Sequence, residues 1–433
     1  MPAFVRRLHA RFRAIPLRLR RALLLPFALA LPLALAGCEP GTATDSATES
    51  DGATSSATSG SAGETTGETT GETAAVDCEE FSTAVPGLTW TATHDGARTE
   101  LVALPGGHAV HLTDAHTVAR TGPDGVVWSK TFDEWVSQLA PLPGDRIAVA
   151  GISTADTMWL AILSADGELL ESATPPPPDD LSPPSVEELA ADPSGAIYAL
   201  TVEGPAPLVR RIARFDDALA PTGGFAIDND LIGIYSALAA DDDGNAYVAT
   251  LHPVTTSTWR LDVLSYAGDG ALRWLSDGVS YDTSTLSGIE PPEVSVGDQV
   301  YALAGTNSAF ALQALTHDGA VAWTKVRSFA EVPTDPEVAD HWLHAVVASP
   351  CGGAYLGGRT DVDLDGVSER ASALHVDPGG SFGEASHFLD TYEGLTYRET
   401  TSIALAADGR LATLGRFEPT IPDDLIVWWV GGL

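Results

Sequence analysis

Basic residues are scarce in this sequence. Its 433 residues include 23 Lys and Arg against 59 Asp and Glu, so the formal net charge is −36 at pH 7. Seven of the arginines lie in the first 37 residues, and the remaining chain has 16 basic residues and a net charge of −43. Nucleic-acid binding depends on Lys and Arg that neutralise phosphates, and anionic lipid attracts positive charge. We therefore expect no nucleic-acid partner and no protein face that lies on anionic lipid.

Motifs of phosphate-binding and zinc sites are also missing. The sequence has no P-loop and no zinc-site spacing. His341 and His344 have a metal-like spacing, but they precede a predicted strand, where alternation separates the two side chains, and the same holds for His108 and His111. The sequence predicts no catalytic and no cofactor-binding residue. It favours a protein that is not an enzyme, and it leaves open a hydrolase or lyase that acts on an extracellular polymer.

Long hydrophobic runs are absent except at the start of the chain. An apolar run at 22–37 follows an Arg-rich segment, contains two Pro, and is shorter than the ~20 residues that span a bilayer. This pattern predicts a signal peptide over residues 1–37. Its end, Leu-Ala-Gly-Cys at 35–38, resembles the lipobox of bacterial lipoproteins. The resemblance implies cleavage before Cys38, lipidation of Cys38, and export to the cell envelope at the outer membrane or cell surface, with the lipid as the only membrane anchor.

Residues 38–77 lack side chains that could form a core. After Cys38 they are almost entirely Gly, Ser, Thr, Ala and Glu, with GETTGETTGET at 63–73. Such a composition does not offset the entropy cost of ordering the chain. We expect a disordered tether here, and a single folded domain over residues 78–433.

Cysteine is rare, with three residues in all. With Cys38 assigned to lipid, Cys78 and Cys351 remain. In an exported protein an isolated pair of cysteines is typically bonded, so we expect a disulfide between Cys78 and Cys351. Neither cysteine has a neighbouring His or a basic cluster in the sequence, which gives no support for a catalytic thiol.

From residue 100 onward the chain repeats a strand, a turn and a second strand. Glycine-containing turns between short apolar runs are typical of β-hairpins. The copies are at 100–112, 137–151, 187–200, 236–250, 292–305, 344–358 and 401–415. A second hairpin follows each copy, and in three of them a Trp comes shortly after the turn: Trp128, Trp274 and Trp323. Units of about 40–50 residues with four strands predict propeller blades.

The two ends of the chain complement each other. The seventh unit stops at its Gly-Gly turn, at 431–432, while residues 87–96 are a lone strand without a unit. We therefore predict an all-β fold, a seven-bladed β-propeller closed by the N-terminal strand. Closure removes the exposed sheet edges that promote aggregation. Units 1 and 2 are short, so six or eight blades remain open.

The hairpins with acidic or glycine turns and a later Trp resemble PQQ-like and related bacterial propeller repeats. Quinoprotein dehydrogenases of that superfamily have adjacent cysteines near the cofactor, and this sequence has none. The lipobox and repeat type are also similar to those of an outer-membrane assembly lipoprotein, a noncatalytic scaffold. The resemblance implies a binding or scaffolding platform with a protein or glycan partner. A structural envelope protein without a specific ligand is a further alternative.

The segment DVDLDGVSE, 361–369, has the spacing of a calcium loop. Oxygen ligands at alternate positions with a glycine turn suit Ca²⁺. The candidate ligands are Asp361, Asp363, Asp365, the carbonyl of Val367, and Glu369. Ser372 occupies the place of the bidentate Glu of an EF-hand, so the segment is not an EF-hand. A structural calcium ion or a solvated acidic loop both fit the pattern.

Overall fold

The computed structural model describes residues 88–95, 100–176, 185–203, 209–283, 291–306, 309–328, 341–364, 367–383, 386–387, 391–392, 395–418 and 424–430. Side chains are described in these ranges except at 88–95, 361–370, 386–399 and 416–430. The predicted signal peptide and tether lie outside the described residues. All regular elements in the described ranges are β-strands, thirty in number.

The described strands form seven sheets, numbered here in chain order. Sheets 1 and 2 contain β2 (Leu101–Leu104), β3 (His108–Leu112), β4 (Thr117–Gly122), β5 (Gly125–Thr131), then β6 (Trp135–Leu142), β7 (Arg146–Ile152), β8 (Met158–Leu163) and β9 (Leu169–Ala173). Sheets 3 and 4 contain β10 (Ser185–Ala191), β11 (Ile197–Glu203), β12 (Val209–Phe215), β13 (Pro221–Ala226), then β14 (Tyr235–Ala240), β15 (Ala246–Pro253), β16 (Thr258–Tyr266), β17 (Leu272–Leu275) and β18 (Val279–Asp282).

The remaining sheets come from the last third of the chain. Sheets 5 and 6 contain β19 (Glu293–Val296), β20 (Val300–Gly305), β21 (Phe310–Leu315), β22 (Val321–Arg327), then β23 (His341–Ala348), β24 (Ala354–Leu364), β25 (Val367–Val376) and β26 (Ser386–His387). Sheet 7 contains β27 (Thr391–Tyr392), β28 (Leu395–Leu405), β29 (Leu411–Glu418), β30 (Asp424–Val430) and β1 (Leu88–Asp95).

Neighbouring strands within each sheet are antiparallel, as the hairpin signals predict. The first strands of sheets 1 to 6, together with β28 of sheet 7, contact one another in chain order, and β28 also contacts β2. The first strands thus face a common centre, and the protein is an all-β propeller.

The N-terminal strand belongs to the last sheet. β1 pairs antiparallel with β30, with Thr91 opposite Trp428 and Asp95 opposite Asp424. β30 pairs in turn with β29. The edge of sheet 7 is therefore formed by a strand that precedes all the other sheets in sequence.

The core lies between adjacent sheets. β8 and β20 are buried at every position, because each sheet is covered on both faces by its neighbours. One apolar cluster, for example, joins Leu142 and Leu160 of sheet 2 to Leu189, Ile197 and Phe215 of sheet 3. Burying one such side chain stabilises the fold by about 1.5–3 kcal/mol. The fourth strands, such as β9, are largely exposed and form the rim.

Two glycines in second strands permit a close approach of the first strand of the same sheet. A Cβ at Gly151 would overlap the carbonyl oxygen of Trp135, and one at Gly358 would overlap that of Trp342. Both lie opposite a register shift in the first strand of their sheet. Glycine is needed here for space rather than for a turn.

None of the described elements is a helix long and apolar enough to cross a membrane.

Candidate functional site: the central cavity and the face around it

A cavity of about 420 Å³ lies where the first strands of five sheets end. Its walls come from β2, β6, β19, β23 and β28 and from the turns that follow these strands. The lining residues are Ala103, Leu104, Pro105, Pro141, Leu142, Asp145, Ser295, Val296, Gly297, Val347, Ala348, Ser349, Pro350, Leu405, Ala406 and Ala407. The cavity is therefore central, and several separate repeats build it.

The lining is apolar apart from two serines and one carboxylate. Ala, Leu, Pro and Val supply most of it, and Asp145 is the single titratable side chain among the lining residues. General acid–base catalysis needs a positioned proton donor or acceptor near a second polar group. This lining provides apolar contact and one negative charge, which suits binding of an apolar group.

Asp145 is held by the turn between β6 and β7. Its φ is 57°, and that of the preceding Gly144 is 73°. The left-handed region costs Asp and Asn less than most other residues, because their short polar side chains bond locally. The side chain of Asp145 is exposed at the mouth of the cavity.

An acidic ring surrounds this mouth. In an antiparallel meander the turn between the first two strands and the turn between the last two lie on the same face, because successive strands alternate in direction. Exposed carboxylates in these turns are Asp124, Asp145, Asp166, Glu168, Asp217, Asp242, Asp243, Asp269, Asp298, Asp318 and Asp408. Arginines near the same turns are Arg120, Arg146, Arg214, Arg273 and Arg410. Acidic groups thus outnumber basic groups on the face that carries the cavity, which we call the cavity face.

Two acids of the cavity face are buried and fully engaged. Asp241 accepts hydrogen bonds from the backbone and side chain of Asn245, both 2.8 Å, and from the Tyr247 hydroxyl at 2.7 Å. Burial alone would raise the pKa of Asp241, but these hydrogen bonds outweigh it and the pKa lies below its usual value. Asp192 likewise accepts a hydrogen bond from a tyrosine hydroxyl, that of Tyr198, at 3.1 Å. These groups brace turns and are not available to a ligand.

The three tryptophans noted in the repeats join neighbouring sheets. Each indole N–H donates to a backbone carbonyl in the next sheet. The pairs are Trp128 with Ala165 at 2.8 Å, Trp274 with His317 at 3.0 Å, and Trp323 with Pro378 at 2.9 Å. Each ring also lies against a turn glycine of that sheet, namely Gly167, Gly319 and Gly380. Sequence reasoning found the tryptophans as repeat markers but missed these contacts.

The histidines of the two pairs have different surroundings. His341 Nδ1 lies 2.9 Å from Thr360 Oγ1, while His344 is buried against sheet 5. His111 Nε2 lies 3.0 Å from Thr121 Oγ1. Burial, followed by the charges of Arg120 and Arg410, lowers the pKa of His108. Within the residues whose side chains are described, no three His, Cys, Asp or Glu are grouped to hold a metal ion.

The candidate calcium segment has a hairpin backbone. Asp361 and Asp363 lie in β24, and Val367 and Glu369 lie in β25, with Asp361 opposite Glu369 and Leu364 opposite Val367. The two strands thus extend into the segment that the sequence pattern predicted to be a loop. Asp365 lies outside the described residues, as do the side chains of the other candidate ligands, so calcium binding stays a prediction.

Of the cysteines, Cys351 lies in the turn between β23 and β24, as expected, and is half-buried. Its backbone N–H donates to Ser349 Oγ at 3.3 Å. Cys38 and Cys78 lie outside the described residues.

No family model matches the chain, and no curated protein matches it. Among solved structures, the chain is similar to a protein of unknown function from Bacteroides caccae, with a TM-score of 0.40, 14% identity, and coverage of 70% of this chain and 97% of the other. It is also similar to the Dos1 propeller, with a TM-score of 0.45, 8% identity, and coverage of 80% and 96%. At these values neither protein lends this chain a ligand or an activity.

Proposed function

We propose that the protein is an exported bacterial lipoprotein whose propeller serves as a binding or scaffolding platform for a protein or glycan partner. The observation that carries the proposal is the composition of the central cavity. Its walls are apolar and come from five sheets, and its one carboxylate has no acid–base partner among the lining residues. A platform needs such a contact surface, whereas a hydrolase or lyase needs convergent polar groups.

The test of the platform is affinity purification of the tagged protein from gently solubilised envelopes. We expect a stoichiometric partner. Recovery of the propeller alone, from washes at low and moderate salt, would count against the platform and favour assays for hydrolase or lyase activity on extracellular polymers.

The proposal includes seven blades and ring closure by the N-terminal strand. It is supported by the seven sheets, by the contact of β28 with β2, and by the pairing of β1 with β30. Deletion of the chain up to residue 95 would expose the edge of β30. We expect the truncated protein to aggregate and to melt at a lower temperature, whereas deletion up to residue 77 should leave the melting temperature unchanged.

The envelope anchor rests on Cys38 alone. Since acyl chains gain about 0.8 kcal/mol per buried CH₂, several chains on one Cys anchor the protein stably. The Cys38→Ser variant should lose the lipid mass and move to the soluble fraction. Persistence in the membrane fraction would contradict the anchor. The similarity of the hairpins to PQQ-like repeats also remains a prediction.

A disulfide between Cys78 and Cys351 would fix the start of the folded domain to sheet 6. The proposal is supported by the predicted export and by the position of Cys351 in a turn of sheet 6. In the chain-entropy model a loop of this length contributes about 4–5 kcal/mol at most. The Cys351→Ala variant should melt at a lower temperature and should be cleaved sooner near its N-terminus; an unchanged profile would rule out the bond.

Structural calcium at Asp361, Asp363, Asp365, Val367 and Glu369 completes the proposal. It is supported by the alternating acids on either side of Gly366. Calorimetry with Ca²⁺ should show one site that is lost in Asp363→Asn and kept in Asp156→Asn. A chelator should leave the wild-type melting temperature unchanged if the segment is only an acidic hairpin.

A further inference from the structure

We propose that the cavity face binds a basic peptide segment that inserts one apolar side chain into the central cavity. This inference rests on the proposed platform and adds the chemistry of its partner. It follows from the cavity lining and from the acidic ring around it, which are independent features of the sequence.

The cavity sets the first requirement. A volume of about 420 Å³ lined by Ala, Leu, Pro and Val accepts a Leu- to Trp-sized side chain and offers almost no polar partner. Two of the lining positions, Ala348 and Ala406, carry small side chains, which leaves the space open. An apolar side chain of the partner that is buried in this cavity contributes its transfer free energy from water to binding.

The ring sets the second requirement. Five exposed carboxylates lie in the turns between first and second strands, at the inner ends of the sheets: Asp145, Asp242, Asp243, Asp298 and Asp408. Of these, Asp145 lines the cavity itself. These acids would repel a partner with negative charge, whereas they would attract Arg or Lys beside the anchor. Of the arginines of this face, Arg214 donates to the carbonyl of Gly268 at 2.5 Å. Arg146 and Arg410 pair with acids of the same face, Asp217 and Asp408, each at 3.6 Å.

The test uses short synthetic peptides in which Arg residues flank one central Leu, Phe or Trp, with fluorescence anisotropy as the readout. Saturable binding should weaken as salt rises to ~0.15 M and beyond, because exposed charges are screened. Peptides with a central Gly should bind about ten-fold or more weakly, the loss expected for one apolar anchor. Peptides with Glu in place of Arg should not bind.

Matched variants locate the site. Ala407 is exposed and lines the cavity, so Ala407→Trp should fill the mouth and weaken binding by about ten-fold or more. Ala218 is exposed in a turn of sheet 3 on the same face but outside the cavity, and Ala218→Trp should leave binding unchanged. Equal melting temperatures of the two variants would show that both fold.

A second pair of variants isolates the charge. Asp145 and Asp156 are both exposed, with φ of 57° and 60°, which Asn adopts readily. Asp145 lies at the cavity, whereas Asp156 lies in the turn between β7 and β8, on the opposite face. Asp145→Asn should weaken binding by about two- to five-fold, and Asp156→Asn should have no effect.

Two results would overturn the inference: no saturable binding of any Arg-flanked peptide, or binding that Ala407→Trp and Asp145→Asn leave unchanged. If a native partner is recovered and both variants bind it as well as the wild type does, the platform proposal stands and the central cavity is not its binding site. If neither a native partner nor a peptide binds, the platform falls as well.

Discussion

The boundary between sheets 4 and 5 differs from that between sheets 2 and 3. At the first, Trp274 lies against Gly319 and donates to the carbonyl of His317. Beside it, Arg273 donates to the Tyr247 hydroxyl at 3.2 Å. At the second boundary the fourth strand, β9, has no tryptophan, and an exposed ion pair between Arg146 and Asp217 spans 3.6 Å.

Both boundaries share an apolar core near the centre of the ring, so the difference lies in the outer half. An aromatic ring with a satisfied N–H adds packing and a hydrogen bond, while an exposed ion pair contributes little. The comparison indicates that the ring is not equally stable all round: sheets 2 and 3 separate more easily at the rim than sheets 4 and 5.

The largest expected effect is loss of the tryptophan at the stronger boundary. Trp274→Ala should lower the free energy of unfolding by about 2–4 kcal/mol, because it removes a large packed ring and leaves the His317 carbonyl without that donor. Chemical denaturation measures the change. Glu171→Ala, in the exposed fourth strand of sheet 2, is the control and should cost less than about 0.5 kcal/mol. Equal costs for the two variants would contradict the comparison.

The second-largest effect is expected at one of two glycines that have nearly the same backbone φ angle. Gly319 and Gly195 have φ of 91° and 93°. A Cβ at Gly319 would lie 2.7 Å from the Trp274 ring, whereas one at Gly195 would meet no atom closer than 3.6 Å.

Alanine at either glycine costs about 1–2 kcal/mol for the positive φ. Gly319→Ala should cost more than Gly195→Ala, because its Cβ would overlap the Trp274 ring. This extra cost should disappear when Trp274 is replaced by Ala. A double-mutant cycle with Trp274→Ala measures that difference. If the two alanine variants melt at the same temperature, the ring does not restrict this turn.

The third effect concerns the hydroxyl of Tyr247. Tyr247→Phe should cost about 1–2 kcal/mol at neutral pH, because the Asp241 carboxylate loses one of its donors. Tyr281→Phe is the matched control: its hydroxyl is buried and has no hydrogen-bond partner among the described residues, so its removal should be neutral or stabilising.

The same pair gives a pH dependence. Because the pKa of Asp241 is lowered on folding, its contribution is present above its unfolded pKa near 3.8 and is lost as the pH falls through the lower folded value. Burial, with the hydrogen bond to Asp241, raises the pKa of Tyr247 to about 12, so its contribution is present below pH 10 and is lost as the pH rises towards 12. Melting temperatures of wild type and Tyr247→Phe should converge at both extremes; a constant gap would contradict this assignment.

Much of the fold followed from local signals. Asp-Gly and Gly-Gly turns between apolar runs specify hairpins within a few residues. The contact of Trp274 with the His317 carbonyl was not predictable, because it joins different repeats across the ring.

The central cavity escaped prediction for a related reason. Its walls come from five repeats, and small residues such as Ala348 and Ala406 are common in strands and carry no chemical signature. Nothing in one repeat shows that its strand end will face four others. Pairing of repeats around the ring has to be known before such a cavity can be located.

The smallest expected effect belongs to the weaker boundary. Arg146 and Asp217 are 3.6 Å apart and Asp217 is largely exposed, so Arg146→Ala should cost less than about 0.5 kcal/mol in the free energy of unfolding. What remains at this boundary is the apolar cluster of Leu142, Phe215 and their neighbours. Leu142→Ala should therefore cost about 2–4 kcal/mol. A larger cost for Arg146→Ala than for Leu142→Ala would show that the rim, rather than the centre, holds sheets 2 and 3 together.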